Sequence, residues 1–349
     1  MAKLDFYSMD SAEKAAVFNA IASNTGMTPF AVEKDWWVSR TLNIIFQMPI
    51  ATSLVFKGGT SLSKAWKLIN RFSEDIDLAI DRKYFPAFQG NLSNRDITKL
   101  RQEAGKYTTG TFFTELQEAF KQRGFLDLQF IAIESEESDK DPRILEIHYP
   151  NIIPGPTRYM LPRVLIEISC RSLREPFTPQ QFGALVDEYY FDSEFVEPLF
   201  TVPTVNPERT FLEKLFLLHE EFHRPIAKVR VDRLSRHLYD IYQLTNAGIA
   251  ERAINDKELY ETIVSHRHKF TRLGGVDYNS HDPKKINPLP IESKMAEWKA
   301  DYAKMMEEMI YDENKPSFND LIKNIDELRT RLQSVAWSFE LTFPIPGGN

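Results

Sequence analysis

The chain has 349 residues, 42% hydrophobic and 12% aromatic, enough to bury a core and suited to about two domains. A net charge of −7 excludes an all-over cationic coat for nucleic acid, while leaving room for a local basic patch. With no apolar run long enough to cross a bilayer, no signal-peptide core in MAKLDFYSMDSAEKAA and a single cysteine, Cys170, the expectation is a reducing, cytoplasmic location without a membrane.

In chain order, Thr28-Pro29 opens a helix, with threonine as N-cap and proline at the first helical position, and Phe30, Trp37 and Ile44 recur on one face. The apolar strand Leu54-Val55-Phe56 runs into Lys57-Gly58-Gly59-Thr60-Ser61, and the stripe Leu62, Ala65, Trp66, Ile69 predicts a helix behind it. An alternating strand covers Asp75 to Ile80. The middle third keeps period two: Leu126, Leu128 and Phe130 alternate with polar residues, then Leu145, Ile147 and Tyr149, with SEESDKDP as the turn between. After the Pro-rich connection PNIIPGPTRYMLP, a further strand runs from Arg163 to Ser169. From about Asn206 the pattern is helical: Asn206-Pro207 starts a helix that Pro225 closes, LGGVDYNSHDPKKINPLP reads as a long loop, and Ser317 to Asp320 resembles a capping box. The expected fold class is mixed α/β (α+β), an α/β domain over 1–204 followed by a helical domain over 205–349.

The segment from Lys57 to Ile80 carries the chemistry. Strand geometry puts Asp75, Asp77 and Ala79 on one face and Ile76, Leu78 and Ile80 on the other, so the apolar face anchors the strand while both carboxylates face a cleft. Two such residues lie roughly 6–7 Å apart at Cα, within reach of shared divalent ions, and their mutual repulsion makes a metal a natural occupant. Magnesium suits an all-oxygen site completed by water and phosphates. Gly58-Gly59-Thr60-Ser61, at a strand-to-helix turn, offers free N–H groups and a close approach to phosphate. The bland alternative is a tight turn followed by a solvated acidic strand end.

Glu167 lies within the apolar run Val164 to Ser169; it either meets solvent or joins the aspartates as metal ligand or base. Ser73 shares the aspartates' face and either binds a phosphate oxygen or bounds the strand; phosphorylation there would set roughly −2 charge against the metal site. Lys64, Lys67 and Arg71 give a basic flank, Arg71 reaching triphosphate or acceptor RNA, or pairing with Glu74. His266-Arg267-His268-Lys269, near Arg272, is a solvated helix end or an RNA-backbone contact. Separately, His219-Glu220-Glu221-Phe222-His223 matches the H-E-x-x-H pattern of zinc metalloproteases, with Asp232, Asp240 or a residue the sequence does not identify as the third ligand it would need. Against it, Pro225 ends the helix two residues on and no extended zincin motif follows.

Lys57 to Ile80 resembles the signature of the AbiEii/AbiGii toxin family of nucleotidyltransferases, which includes the MenT toxins and belongs to the DNA polymerase β-like superfamily. The segment Val32 to Trp37 looks like that family's upstream EKD-plus-aromatic element, Pro207 to Leu215 like its helical lysine motif, and Arg236 to Asp240 like its later arginine-to-aspartate helix. Asp301-Tyr302 and Pro316-Ser317-Phe318 resemble the C-terminal part, so the likeness runs from about residue 28 to 335. It implies a polymerase β-like domain with a mixed sheet, a helical domain completing the active-site cleft, and transfer of a nucleoside monophosphate from an NTP with release of pyrophosphate. It further implies Mg2+ or Mn2+, an RNA acceptor (in characterised members the 3′ end of tRNA), a toxin–antitoxin or phage-defence setting, and a cognate antitoxin encoded nearby. Carried over by position, Asp75, Asp77 and Glu167 are metal-binding and catalytic, and Lys214 binds triphosphate with Asp240 beside it. Lys57, Gly58, Gly59, Thr60, Ser61, Arg71 and Ser73 complete the nucleotide side. Lys214 and Asp240 on half-buried helix faces can equally form a structural salt bridge. A protein or small-molecule acceptor would use the same site, and a non-catalytic protein would keep the DxD as structure.

Overall fold

A computed structural model describes residues 5–155, 161–312 and 314–345. It divides into two compact units, residues 1–66 with 72–205, and residues 67–71 with 206–349. Part of the Pro-rich connection expected before the Arg163 strand lies outside the described residues.

The first unit is built on a seven-stranded mixed sheet: β1 (Leu54–Lys57), β2 (Asp75–Ile80), β3 (Gln129–Ala132), β4 (Arg143–His148), β5 (Arg163–Ser169), β6 (Phe177–Phe182) and β7 (Phe200–Val205), in the order β3-β4-β5-β2-β1-β7-β6. Its helices are α1 (Ser11–Thr25), α2 (Pro29–Ile45), the short α3 (Gly58–Thr60) that continues as a π-helical turn over Ser61–Ala65, α4 (Asn94–Tyr107), α5 (Phe113–Gln122) and α6 (Leu185–Tyr189). As expected, Thr28 caps α2 through its hydroxyl, which accepts from the Ala31 N–H. Helix α2 packs against β5 and β2 and is buried nearly all round, so its two tryptophans join Phe6, Tyr7, Phe125 and Tyr149 in one aromatic cluster.

The DxD strand falls where the alternation puts it, and β5 spans the expected residues. Two expectations change. The helix behind the glycine turn stops at Ala65, so Ile69 is buried but lies off that helix. Strand β3 begins at Gln129 rather than Leu126, which stands 70% exposed. Strands β6 and β7 were not legible: each carries a proline, Pro179 and Pro203, and these face each other across the ladder. Proline lacks the N–H that a ladder uses and so masks a strand in sequence.

The second unit is helical: α7 (Pro207–Phe222), α8 (Ser235–Asn246), α9 (Ile249–Asn255), α10 (Lys257–Phe270), α11 (Met295–Glu308) and α12 (Phe318–Gln333). Helix α7 packs on α8, α9 and α10, while α8 also contacts α11 and α12. The Ser317–Asp320 capping box forms, each side chain bonding the other's backbone N–H. Residues 273–290 carry only a 3-10 turn, Tyr278–His281. No described helix is long and apolar enough to cross a membrane.

Candidate functional site

Sheet register assembles the acidic residues. Strand β2 pairs parallel with β5, setting Asp77 directly beside Glu167, and antiparallel with β1, setting Lys57 on the other side of Asp77. Directly paired residues point to the same face, so Lys57, Asp77 and Glu167 form one row across three strands. Asp75 precedes Asp77 by two residues on the same face, opposite Leu165. Along β2, Asp75 and Asp77 are half-buried while Ile76, Leu78 and Ile80 are fully buried. Glu167 is half-buried like the aspartates, between Ile166 and Ile168 in the core.

The glycine turn closes over this row. Gly58 has φ +78°, and a Cβ there would lie 1.9 Å from Asp77 Oδ2, 2.7 Å from its Cγ and 2.9 Å from its Cβ. Both the backbone conformation and the close approach of the carboxylate exclude a side chain. Lys57 is the N-cap of α3, and its side chain makes no cap bond to the turn. The hydroxyls of the motif hold the turn: Ser61 Oγ donates to the Gly58 carbonyl at 2.9 Å, and Thr60 Oγ1 donates to the Asp75 carbonyl at 2.5 Å. Thr60 Oγ1 also lies 3.0 Å from Ser73 Oγ, which ties the turn to the segment entering β2. Thr60 and Ser61 are buried. Lys64, expected as part of a basic flank, is instead ion-paired with Asp35.

In the helical unit, α7 and α8 join Lys214 to Asp240. The two pair at 2.8 Å, and Arg71 grips the same carboxylate with two bonds of 2.7 Å. Burial would raise the Asp240 carboxyl, but Arg71 and Lys214 outweigh it and hold it well below the usual carboxylate range. Burial lowers the Lys214 ammonium against the pull of Asp240. His237, which sequence reasoning did not single out, lies 3.4 Å from Lys214 Nζ, and burial beside that cation keeps its imidazole neutral. Its position one turn before Asp240 on α8 was the available signal.

The H-E-x-x-H string is a structural clasp, not a zinc site. His219 Nδ1 accepts the Asn287 N–H at 3.0 Å and its Nε2 bonds Ser280 Oγ at 2.9 Å. Glu220 pairs with Arg267 and lies 3.2 Å from His281 Nε2. Burial works against the Glu220 carboxylate, yet Arg267 and His281 hold its pKa at about 2. His223 Nδ1 bonds the His219 carbonyl at 2.7 Å. Arg267, read from the sequence as part of a solvated cluster, is thereby committed to the clasp. His219 and Glu220 thus pin the 273–290 segment, and both ring nitrogens of His219 and both oxygens of Glu220 are engaged.

Among the described residues, no group of three or more His, Cys, Asp and Glu side chains is arranged as a ready-made cage for a metal ion. The acidic row nevertheless fits magnesium, an ion usually held by one or two carboxylates together with water and substrate phosphates. Its oxygens are hard donors, and Asp77 is pressed against the Gly58 turn.

A mixed sheet with paired acids beside a glycine turn is the equipment of a nucleotidyltransferase. The residue pattern of the family described as nucleotidyl transferase AbiEii toxin, type IV TA system, matches residues 40–324, and the chain belongs to that family. Among solved structures it is similar to MenT4, a nucleotidyltransferase toxin from Mycobacterium tuberculosis H37Rv, at 17% identity and a TM-score of 0.42, over 94% of this chain and 100% of that one. It is also similar to JHP933 from Helicobacter pylori, at 13% identity and a TM-score of 0.40, over 86% of this chain and 92% of that one. No curated protein matches. The chain is thus a nucleotidyltransferase toxin of a type IV toxin–antitoxin system, and membership implies an NTP substrate and a cognate antitoxin.

Proposed function

We propose that this enzyme transfers a nucleoside monophosphate from an NTP to an RNA acceptor, the 3′ end of tRNA, and that Asp75, Asp77 and Glu167 hold the Mg2+ or Mn2+ it uses. The observation that carries the reading is the row Lys57–Asp77–Glu167, with the Asp77 carboxylate packed against Gly58. The metal, when bound, neutralises charge on the reacting phosphates. The N–H groups at the start of α3 and the Lys57 ammonium bind the triphosphate, with Gly59 and the Thr60–Ser61 hydroxyls shaping the turn. Ser73 acts beside Asp75 at the mouth of the strand.

The acceptor hydroxyl attacks the α-phosphorus, its proton passing to Glu167, as the bond to the β-phosphate oxygen breaks and pyrophosphate leaves. Lys214 neutralises triphosphate charge, with Arg71 and Asp240 behind it. The hydrogen-bond pattern is what that assignment needs: because Arg71 holds both oxygens of Asp240, Lys214 can leave that carboxylate without orphaning it. In this reading the protein acts in the cytoplasm, and growth inhibition or phage defence follows from loss of usable tRNA.

The test incubates the purified protein with each α-labelled NTP, Mg2+ and total bacterial RNA, beside an Asp75→Ala/Asp77→Ala control. Label in tRNA-sized RNA only with intact aspartates is the expected result. NTP turnover without labelled RNA would replace the acceptor by a protein or small molecule, and no turnover with any acceptor would overturn the assignment of the acidic row.

A further inference from the structure

Helix α2 carries three consecutive charges, Glu33, Lys34 and Asp35, which stand 1%, 1% and 6% exposed. Successive helical residues point about 100° apart, and each of these three reaches a different segment. Glu33 accepts the Ile152 and Ile153 N–H groups at 2.7 and 2.9 Å. Asp35 pairs with Lys64, in the turn behind the GGTS motif, and accepts the Leu185 N–H at 2.8 Å. Lys34 pairs with Glu74 and donates to the Leu161 carbonyl at 2.9 Å.

The partners of Lys34 set it apart. Glu74 immediately precedes Asp75 at the start of β2, and Leu161 lies two residues before β5 begins at Arg163. One ammonium therefore ties together the entries of the two parallel strands whose register places Asp77 beside Glu167. A buried ion pair is costly to desolvate and weak as a source of stability; what it supplies well is a fixed position. Burial lowers the Lys34 ammonium, while the negative charges of Glu74 and Asp75 favour keeping it protonated.

We propose that Lys34 is a positioning residue for nucleotidyl transfer, holding β2 and β5 through Glu74 and the Leu161 carbonyl so that the acidic row is set before substrate arrives. The inference rests on the reading of Asp75, Asp77 and Glu167 as the metal-binding acids. Asp35, through Lys64, extends the same helix's hold to the phosphate turn.

The experiment compares Lys34→Met with Arg40→Met. Arg40 is a similarly buried cation on the same helix whose ion pairs go instead to Asp187 and Glu197. Three quantities are read: amide hydrogen exchange over residues 75–80, half-saturating Mg2+ by calorimetry with a non-hydrolysable NTP analogue, and kcat/KM for transfer. Lys34→Met is expected to speed exchange in β2, raise half-saturating Mg2+ severalfold and cut kcat/KM on the order of 100-fold, the cost of a misplaced constellation. Lys34→Arg should restore part of each, while Arg40→Met should lower the melting temperature without moving the Mg2+ requirement. If Lys34→Met does not fold, Glu74→Gln removes the charge partner and is read the same way. Wild-type exchange and Mg2+ dependence in Lys34→Met, or an equal Mg2+ shift in Arg40→Met, would overturn the proposal. If the wild-type protein transfers no nucleotide, the failure lies with the reading of the acids, and the exchange data still report whether Lys34 holds β2.

Discussion

Substituting alanine for Gly58 tests the geometry of the acidic row at its tightest point. The backbone at φ +78° costs a residue with a Cβ about 1–2 kcal/mol. The new methyl would also meet Asp77 Oδ2 at 1.9 Å and Asp77 Cβ at 2.9 Å. The carboxylate can rotate away, but the Cβ is fixed to strand β2, so the turn itself must shift; such overpacking costs about 1–3 kcal/mol more. For a unit of this size the sum is a melting-temperature loss of roughly 5–15 °C. Because the displaced atoms belong to a proposed metal ligand, transfer should fall on the order of 100-fold even where the protein remains folded. Transfer is assayed with α-labelled NTP well below the variant's melting temperature. In an Asp77→Gly background the overlap is gone, so alanine at position 58 should cost only the backbone share of stability. A Gly58→Ala protein with wild-type transfer, or an equal stability cost in both backgrounds, would refute the packing argument.

Ser73→Asp adds a fourth carboxylate to Asp75, Asp77 and Glu167, and transfer is expected to fall at least tenfold while thermal stability changes little; full activity would dismiss Ser73 as a control point. Lys214→Met keeps the aliphatic stem and leaves Asp240 with both Arg71 bonds, so stability should drop by only about 1–2 kcal/mol while transfer falls on the order of 100-fold. Activity lost only in proportion to folded protein would reduce Lys214 to a structural partner. The Glu220 carboxylate, held at about 2 against an ordinary value of about 4.3, contributes stability that is present above pH ~4.3 and lost as pH falls towards 2. Thermal unfolding of the wild type should therefore weaken steeply over that window, and Glu220→Gln should show a lower melting temperature with a shallower acid slope.

Local pattern carried the essential elements of the site. The alternation in DIDLAI fixed which face of β2 holds Asp75 and Asp77, the glycines marked the turn before it, and Thr28-Pro29 and Ser317 to Asp320 announced their helix starts, because these signals depend on neighbours within a few residues. Pairing between distant segments could not be read this way. That Glu167 lies beside Asp77 follows from a register linking residues ninety positions apart, which no local period encodes. The same holds for Lys34 at the mouth of two strands, and for Arg71 closing on Asp240. The H-E-x-x-H string shows the reverse case. Its spacing is that of a metal site, but tertiary partners hold its first histidine and its carboxylate, since a buried polar group binds whatever donor or acceptor the fold brings within reach.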